Sequence, residues 1–76
     1  MPRAYVLIRT ALGREFEVAR AILRIQGVKT VDVVYGIYDL IAIIEADSMT
    51  DLRQIVAEKI RRQPGVSSTV TMIVLE

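Results

Sequence analysis

The 76-residue chain is small, aliphatic and nearly neutral, and these properties exclude several classes of site. Without Cys or His it can form neither a disulfide nor an ordinary transition-metal site, and its net charge of +1 gives no electrostatic reason to expect nucleic acid or an anionic membrane as a partner. Hydrophobic residues make up 53% of it but aromatic residues only 5%, so we expect one aliphatic core, small enough to need an oligomer for its stability.

The first half of the chain is predicted to form a strand, a helix and a second strand. Residues 4–10 are rich in β-forming side chains and predict the first strand. Residues 14–25 have the spacing of a helix, which Gly27 is placed to end, and residues 28–35 predict the second strand. The predicted inward face of this helix consists of Phe16, Ala19, Ile22 and Leu23.

The second half begins with a predicted tight turn at Gly36-Ile37, followed by a third strand over residues 38–45. Two strands joined so closely must be antiparallel neighbours. Ser48 and Asp51 then form a capping box, in which the serine hydroxyl accepts from the Asp51 amide and the Asp51 carboxylate reaches back. We expect the second helix to run from there to about Arg62.

A fourth strand over residues 66–75 completes the order βαββαβ. Each βαβ half joins its strands by a right-handed crossover, and two interleaved halves give an α+β, ferredoxin-like sandwich. In that fold both helices cover one face of a four-stranded antiparallel sheet. We predict one domain over residues 1–76 and no separate DNA-binding domain.

An internal repeat supports this topology. Six residues of the first half recur 38 positions later within an eleven-residue window. They are Val18, Ala19, Ile22, Arg24, Gly27 and Val28, which recur as Val56, Ala57, Ile60, Arg62, Gly65 and Val66. The repeat covers the end of a helix, a glycine stop and the start of a strand, so it predicts a pseudo-two-fold axis.

Both faces of the predicted sheet are apolar, although the helices cover only one of them. In the third strand, for example, Ile41 and Ile43 oppose Leu40, Ala42 and Ile44. A bare aliphatic face would be an aggregation hazard in a monomer, so we expect it to pack against a second copy of the chain. The expected interface residues are Tyr5, Leu7, Ile41, Ile43, Ile73 and Leu75.

Three polar features could belong to a binding site, and each has a plainer interpretation. Asp39 stands in an otherwise aliphatic strand; it could bind a ligand or only hydrogen-bond the turn backbone. The hydroxyls of Ser67 to Thr71 could bind a ligand or form ordinary edge-strand surface. Arg61-Arg62 is more typical of charges placed at a helix end than of a ligand site.

Catalytic groups are scarce, and we predict that the protein is not an enzyme and has no cofactor. It has no His for proton transfer and no Cys nucleophile, and its glycines form no phosphate-binding motif. A small cofactor-free enzyme of the same fold is a distant alternative; only Arg9, Tyr38 and Asp39 could then serve as its acid or base.

Three short motifs are similar to those of a known family. They are Gly36-x-x-Asp39-Leu40 after the second strand, Pro64-Gly65-Val66 after the second helix, and Thr69-x-Thr71-x-Ile73-Val74-Leu75 in the fourth strand. With its motifs in this order and spacing, the chain resembles over its whole length the effector domain of leucine-responsive/asparagine (Lrp/AsnC) transcription regulators. This domain is called the regulation-of-amino-acid-metabolism module.

This resemblance implies dimers that pair through the sheet face and assemble into rings, commonly octamers, with amino acids bound between dimers. The implied binding residues are Gly36, Ile37, Tyr38, Asp39, Ser68, Thr69 and Thr71. The turn would offer backbone groups, Asp39 would attract the ligand's ammonium, and the three hydroxyls would donate to its carboxylate. A zwitterion that leaves water needs such charge-assisted bonds at both ends. Full-length regulators are further possible partners.

Two departures from the family pattern modify this expectation. No helix-turn-helix precedes the first strand, so the chain resembles a stand-alone module without direct DNA binding. Ile37 stands where the family often has Asp or Asn, which favours an alternative in which the module only assembles and its pocket is vestigial. With no signal peptide, and with its longest apolar run confined to Leu40–Ile44, we expect the protein in the cytoplasm rather than in a membrane.

Overall fold

The computed structural model describes residues 1–75 and contains four strands and two helices in the predicted order. The strands are β1 (Arg3–Thr10), β2 (Val28–Val33), β3 (Leu40–Glu45) and β4 (Val66–Ile73). The helices are α1 (Glu15–Leu23) and α2 (Met49–Gln54), and α2 continues directly as a π-helical segment (Ile55–Ile60). Within residues 1–75, no helix has the length and apolar character needed to cross a bilayer.

The strands form one sheet in the order β2-β3-β1-β4, and all neighbouring strands are antiparallel. Alternate residues of β1 and β3 are fully buried, and they form one cluster with residues from both helices. The helices therefore share one face of the sheet, which confirms the predicted ferredoxin-like α+β fold. The buried sheet residues are Ala4, Val6, Ile8, Leu40, Ala42 and Ile44.

The inward face of α1 differs from the prediction at two positions. Val18, Ala19 and Ile22 are buried, whereas Phe16 is 61% exposed and Leu23 is 51% exposed. At 100° per residue, Phe16 and Leu23 lie roughly 100° from the centre of the buried face, so a nine-residue helix cannot bury both sets against one flat sheet.

A side-chain contact marks the beginning of each helix. Arg14 Nη2 lies 2.6 Å from Glu17 Oε2, and the hydrogen bond from this guanidinium lowers the pKa of the Glu17 carboxyl. At the start of α2, the Asp51 amide donates to Ser48 Oγ at 3.1 Å, which is the first of the two predicted capping-box bonds. Both pairs are exposed, so we expect them to define where the helices begin more than to add stability.

The internal repeat is present in three dimensions. Gly27 and Gly65 both have positive φ, 100° and 94°, and both stand between a helix and a strand. Each glycine also packs against the helix of the other half. A Cβ on Gly27 would lie 2.7 Å from Ile55 Cδ1, and a Cβ on Gly65 would lie 2.6 Å from Val18 Cγ2. These contacts require glycine at both places.

The connection between β2 and β3 is longer than predicted. β2 ends at Val33 and β3 begins at Leu40, so residues 34–39 form a six-residue loop instead of a two-residue turn. The Val34 N–H donates to the Asp39 carbonyl at 2.8 Å and closes the loop. Gly36 is not among the glycines with positive φ, so the tight turn predicted at this residue does not form.

The side of the sheet that the helices leave uncovered, called the open face below, is apolar as predicted. The residues that β4 contributes to it differ from the predicted ones. Ile73 pairs with Ala4 and packs against the core on the helix side, and Leu75 lies beyond the end of β4, so neither of these two predicted interface residues belongs to the open face of β4. Val70 and Met72 take their place because they pair with the outward-facing Leu7 and Tyr5. The apolar residues of the open face are therefore Tyr5, Leu7, Ile41, Ile43, Val70 and Met72.

Candidate functional site

Asp39 is held by hydrogen bonds to the neighbouring strand. Its Oδ2 accepts from the Thr10 backbone N–H at 2.8 Å and lies 3.4 Å from the Thr10 hydroxyl oxygen, a second donor. The Asp39 N–H donates to the Ile8 carbonyl at 2.9 Å. Because β3 begins only at Leu40, the carboxylate supplies an acceptor to β1 where the strand ladder has ended. This contact explains an aspartate at the edge of an aliphatic strand.

The same geometry leaves part of the Asp39 carboxylate available. Both bonds use Oδ2, and no hydrogen bond within residues 1–75 uses Oδ1. A carboxylate has two acceptor oxygens, so Asp39 can hold β1 and accept from a ligand's ammonium at once. The structural role and the predicted binding role are therefore compatible.

Replacing Asp39 separates these two roles. We expect Asp39→Ala to lower the free energy of unfolding by about 1–3 kcal/mol, because the part-buried Thr10 N–H would lose its acceptor. Asp39→Asn retains an acceptor oxygen, and we expect it to lose less than half as much. Urea denaturation of the three proteins measures the difference. Equal stability of Asp39→Ala and the wild type would show that this hydrogen bond contributes nothing.

The rest of the loop presents large side chains to solvent. Tyr35 is 106% exposed and Ile37 is 74% exposed. Tyr38 is the exception, because the Arg9 guanidinium carbon lies 5.4 Å from the centre of its ring, within cation–π distance. The loop thus combines a fixed end at Tyr38 and Asp39 with an exposed apolar tip.

The three predicted hydroxyls do not lie on one face of β4. Ser68 pairs with Arg9 and belongs to the open face, whereas Thr69 and Thr71 pair with Ile8 and Val6 and belong to the helix face. Side chains alternate between the two faces along a strand, so one ligand cannot contact all three within a single chain. Thr71 lines a cleft beside the second helix.

That cleft, called the Thr71 cleft below, lies between α2, the π-helical segment and β4, and has a volume of about 300 Å³. Its lining residues are Leu52, Arg53, Val56, Ala57, Arg61, Thr71 and Ile73. The sequence alone predicts no role for Arg53 and indicates a helix-end charge at Arg61. The signal that could have identified them is the i, i+4, i+8 spacing of Arg53, Ala57 and Arg61, which places all three on one side of a helix.

The loop and the Thr71 cleft are separate in one chain. The loop joins β2 to β3, while β4 forms the opposite edge of the sheet, with β1 between β3 and β4. The two residues also differ in position along the strands. Thr71 lies beside Val6 of β1, whereas Asp39 contacts Thr10 at the end of β1. Strand spacings place Asp39 and Thr71 more than about 10 Å apart, so a small ligand in one chain cannot contact both.

A second cleft, of about 350 Å³, lies at the end of the sheet opposite the 34–39 loop and carries both signs of charge. Its lining includes Lys29, Lys59, Glu45, Asp47 and Asp51, and Lys29 Nζ lies 4.0 Å from Glu45 Oε1. Within residues 1–75, no group of three His, Cys, Asp or Glu residues could hold a metal ion. None of the predicted site residues lines this cleft.

Comparison with known sequences agrees with the resemblance noted from the motifs. The sequence model of the Lrp/AsnC ligand binding domain matches residues 3–76. An HTH-type transcriptional regulator of Pyrococcus horikoshii is 42% identical over 74 residues, which cover 92% of this chain and 49% of the relative. A homocitrate synthase of Sulfolobus acidocaldarius is 42% identical over 59 residues, 78% of this chain but only 12% of the enzyme. The chain spans about half or less of these relatives, so similarity to the enzyme reflects a shared domain.

Solved structures extend the comparison to three dimensions. A hypothetical protein of Pyrococcus horikoshii has a TM-score of 0.93 at 45% identity, covering 100% of this chain and 92% of that one. A transcriptional regulator of Neisseria meningitidis, solved as a complex with L-Met, has a TM-score of 0.86 at 16% identity, covering 99% of this chain and 50% of that one. The second similarity shows the fold alone.

Proposed function

Because the chain belongs to the Lrp/AsnC ligand binding domain family, we propose that it is an amino-acid-binding module whose assembly responds to its ligand. The regulator of Neisseria meningitidis that shares the fold was solved with L-Met, which supports an amino acid as the class of ligand. Relatives that are transcriptional regulators support a regulatory, non-catalytic role in the cytoplasm. Residues 1–76 would form one effector-binding unit.

The open face is the proposed dimer interface. Six apolar side chains from three strands form it, and Leu7 lies at its centre between Ile41 and Val70. Burying about 600 Å² of such surface per subunit is a gross stabilisation of about 15 kcal/mol, from which association entropy and side-chain ordering are subtracted. The total for two subunits, about 1,200 Å², lies at the lower end of the range that stable protein interfaces bury.

The proposed ligand site lies between dimers and takes one half from each. The observation that carries this proposal is the separation of Asp39 from the Thr71 cleft within one chain. If the loop of one copy approaches the cleft of another, the free Oδ1 of Asp39 can bind the ligand's ammonium while Thr71 donates to its carboxylate. The loop of one copy and the Thr71 cleft of another would then bind the same ligand.

The tip of the loop suits this arrangement. Tyr35 and Ile37 are exposed apolar side chains, and the Thr71 cleft has an apolar floor that includes Leu52 and Val56. If the loop tip closes over a ligand that lies on this floor, apolar surface from both copies is buried. Repeated around a closed set of dimers, this contact would produce a ring of the octameric kind, and a full-length regulator with the same domain could enter a mixed ring.

Thr71→Val tests the site because it removes only the hydroxyl. We expect it to weaken binding of the preferred amino acid by about tenfold, the effect of one hydrogen bond to a charged group. Isothermal titration calorimetry with the twenty amino acids identifies that ligand on the wild type, and light scattering reports whether it changes the assembly. Ser67→Ala is the control, because Ser67 is exposed, does not line the Thr71 cleft and is not among the binding residues that the resemblance implies.

An assembly module with a vestigial pocket is the second candidate function. The exposed Ile37 and the use of Asp39 Oδ2 to hold β1 both favour it. Such a module would show one mass in light scattering whatever amino acid is added, and no heat of binding. That result would replace the sensing proposal with this one.

A further inference from the structure

The rim of the Thr71 cleft carries two positive charges and no negative one. Arg53 and Arg61 both line it, and no Asp or Glu does. The ion pairs formed within residues 1–75 by arginines involve Arg14 with Glu17 and Arg62 with Glu58. Neither cleft arginine is therefore neutralised by a carboxylate within the described part of the chain.

The floor between these arginines is apolar and firmly held. Leu52 is 1% exposed and Val56 is 8% exposed, and Ile73 packs against the same core. Ala57 lies between the arginines on the helix surface and, because it is small, leaves the cleft open. Arg53 and Arg61 are themselves exposed, so their attraction for a bound charge acts partly through water and is sensitive to salt.

The arginines can act on one small molecule. They are eight residues apart along α2 and the π-helical segment, which is less than about 12 Å along the axis, and both have long side chains that can bend toward the middle of the cleft. A cleft of about 300 Å³ lies at the lower end of the range for ligand pockets and suits a molecule the size of an amino acid.

We propose that the Thr71 cleft selects an acidic amino acid, whose two carboxylates bind Arg53 and Arg61 while its methylene groups lie on the apolar floor. This inference rests on the proposed function and adds to it the class of ligand. A neutral amino acid offers one carboxylate to two guanidinium groups, and a basic amino acid brings a third positive charge to the rim. The expected order of affinity is therefore acidic, then neutral, then basic.

Calorimetric titration of the intact protein with L-glutamate, L-glutamine and L-lysine tests this order. Glutamate and glutamine have nearly the same shape, so their comparison isolates the charge. We expect glutamate to bind about tenfold more tightly than glutamine, and lysine to bind more weakly than both. Raising the salt concentration should weaken glutamate binding more than glutamine binding, because the added attraction is electrostatic.

Arg61→Gln and Arg53→Gln identify the source of the selectivity. We expect the substitution at the arginine that binds the side-chain carboxylate to bring glutamate affinity close to that of glutamine, with glutamine affinity nearly unchanged. The substitution at the arginine that binds the α-carboxylate should weaken both ligands. Arg62→Gln is the matched control; it removes the same charge from the adjacent position, which pairs with Glu58 and does not line the cleft. It should keep the preference for glutamate.

Two results would overturn the inference, and they differ in what they say about the proposed function. If glutamine or another neutral amino acid binds as tightly as glutamate, the acidic selectivity is wrong, but the protein still senses amino acids. If none of the twenty amino acids binds and the mass of the assembly never changes, the proposed function fails and the inference fails with it.

Discussion

Gly65→Ala is expected to lower the free energy of unfolding by about 2–4 kcal/mol, the largest loss of stability that we expect from a single methyl group in this chain. At a φ of 94°, a side chain brings Cβ too close to its own backbone. The new Cβ would also lie 2.6 Å from Val18 Cγ2, and Val18 is only 1% exposed and cannot move aside. Chemical denaturation monitored by circular dichroism measures the loss.

Two other glycines provide controls for this substitution. Gly13 has a φ of 81°, but a Cβ there would meet no atom within 4 Å, so Gly13→Ala isolates the backbone cost. Gly36 has neither a positive φ nor a close neighbour, so Gly36→Ala should be nearly neutral. If Gly65→Ala is no worse than Gly13→Ala, the contact with Val18 does not restrict this position.

Leu7→Glu is expected to convert the proposed dimer into monomers. Leu7 lies at the centre of the open face, so the change would place one carboxylate from each subunit in an apolar interface. An unpaired buried charge costs several kcal/mol, which corresponds to a dissociation constant raised by about a thousandfold or more. Sedimentation velocity at micromolar concentration measures the change.

A spectroscopic measurement and a control substitution separate loss of the dimer from loss of the fold. Leu7 is not part of the buried core, so the far-UV circular dichroism spectrum should keep its strand and helix signals. Leu23→Glu makes the same kind of change on an exposed part of α1 and should leave the dimer intact. A wild-type protein that sediments as a soluble single subunit would contradict the proposed interface, and with it the site between dimers.

Much of the fold follows from local patterns in the sequence. The glycine stops, the capping serine and the apolar periods predict the order of the elements, and the repeat predicts their symmetry. The faces of β4 were not predictable in this way, because its alternate positions both carry apolar groups. Only the pairing of Ile8 with Thr69 and of Val6 with Thr71 shows which set faces the helices, and that pairing is a long-range property.

The candidate site was less predictable than the fold for a similar reason. Val34 and Tyr35 have high β propensity, yet they lie in a loop because the pairing of β2 with β3 ends at Val33 and Leu40. Asp39 binds Thr10, 29 residues away in the sequence, and no local pattern indicates that bond. Arg53 and Arg61 line a cleft only because the helix that carries them lies beside Thr71 of β4, which is a tertiary contact.

The glycine contacts between the two repeats have a consequence for how the domain tolerates change. Gly27 leaves room for Ile55 of the second half, and Gly65 leaves room for Val18 of the first. Each half thus depends on a space that the other half provides, and neither contains a complete core. The domain should therefore melt as one cooperative unit, and a larger side chain in either repeat must be accommodated by residues that belong to its counterpart.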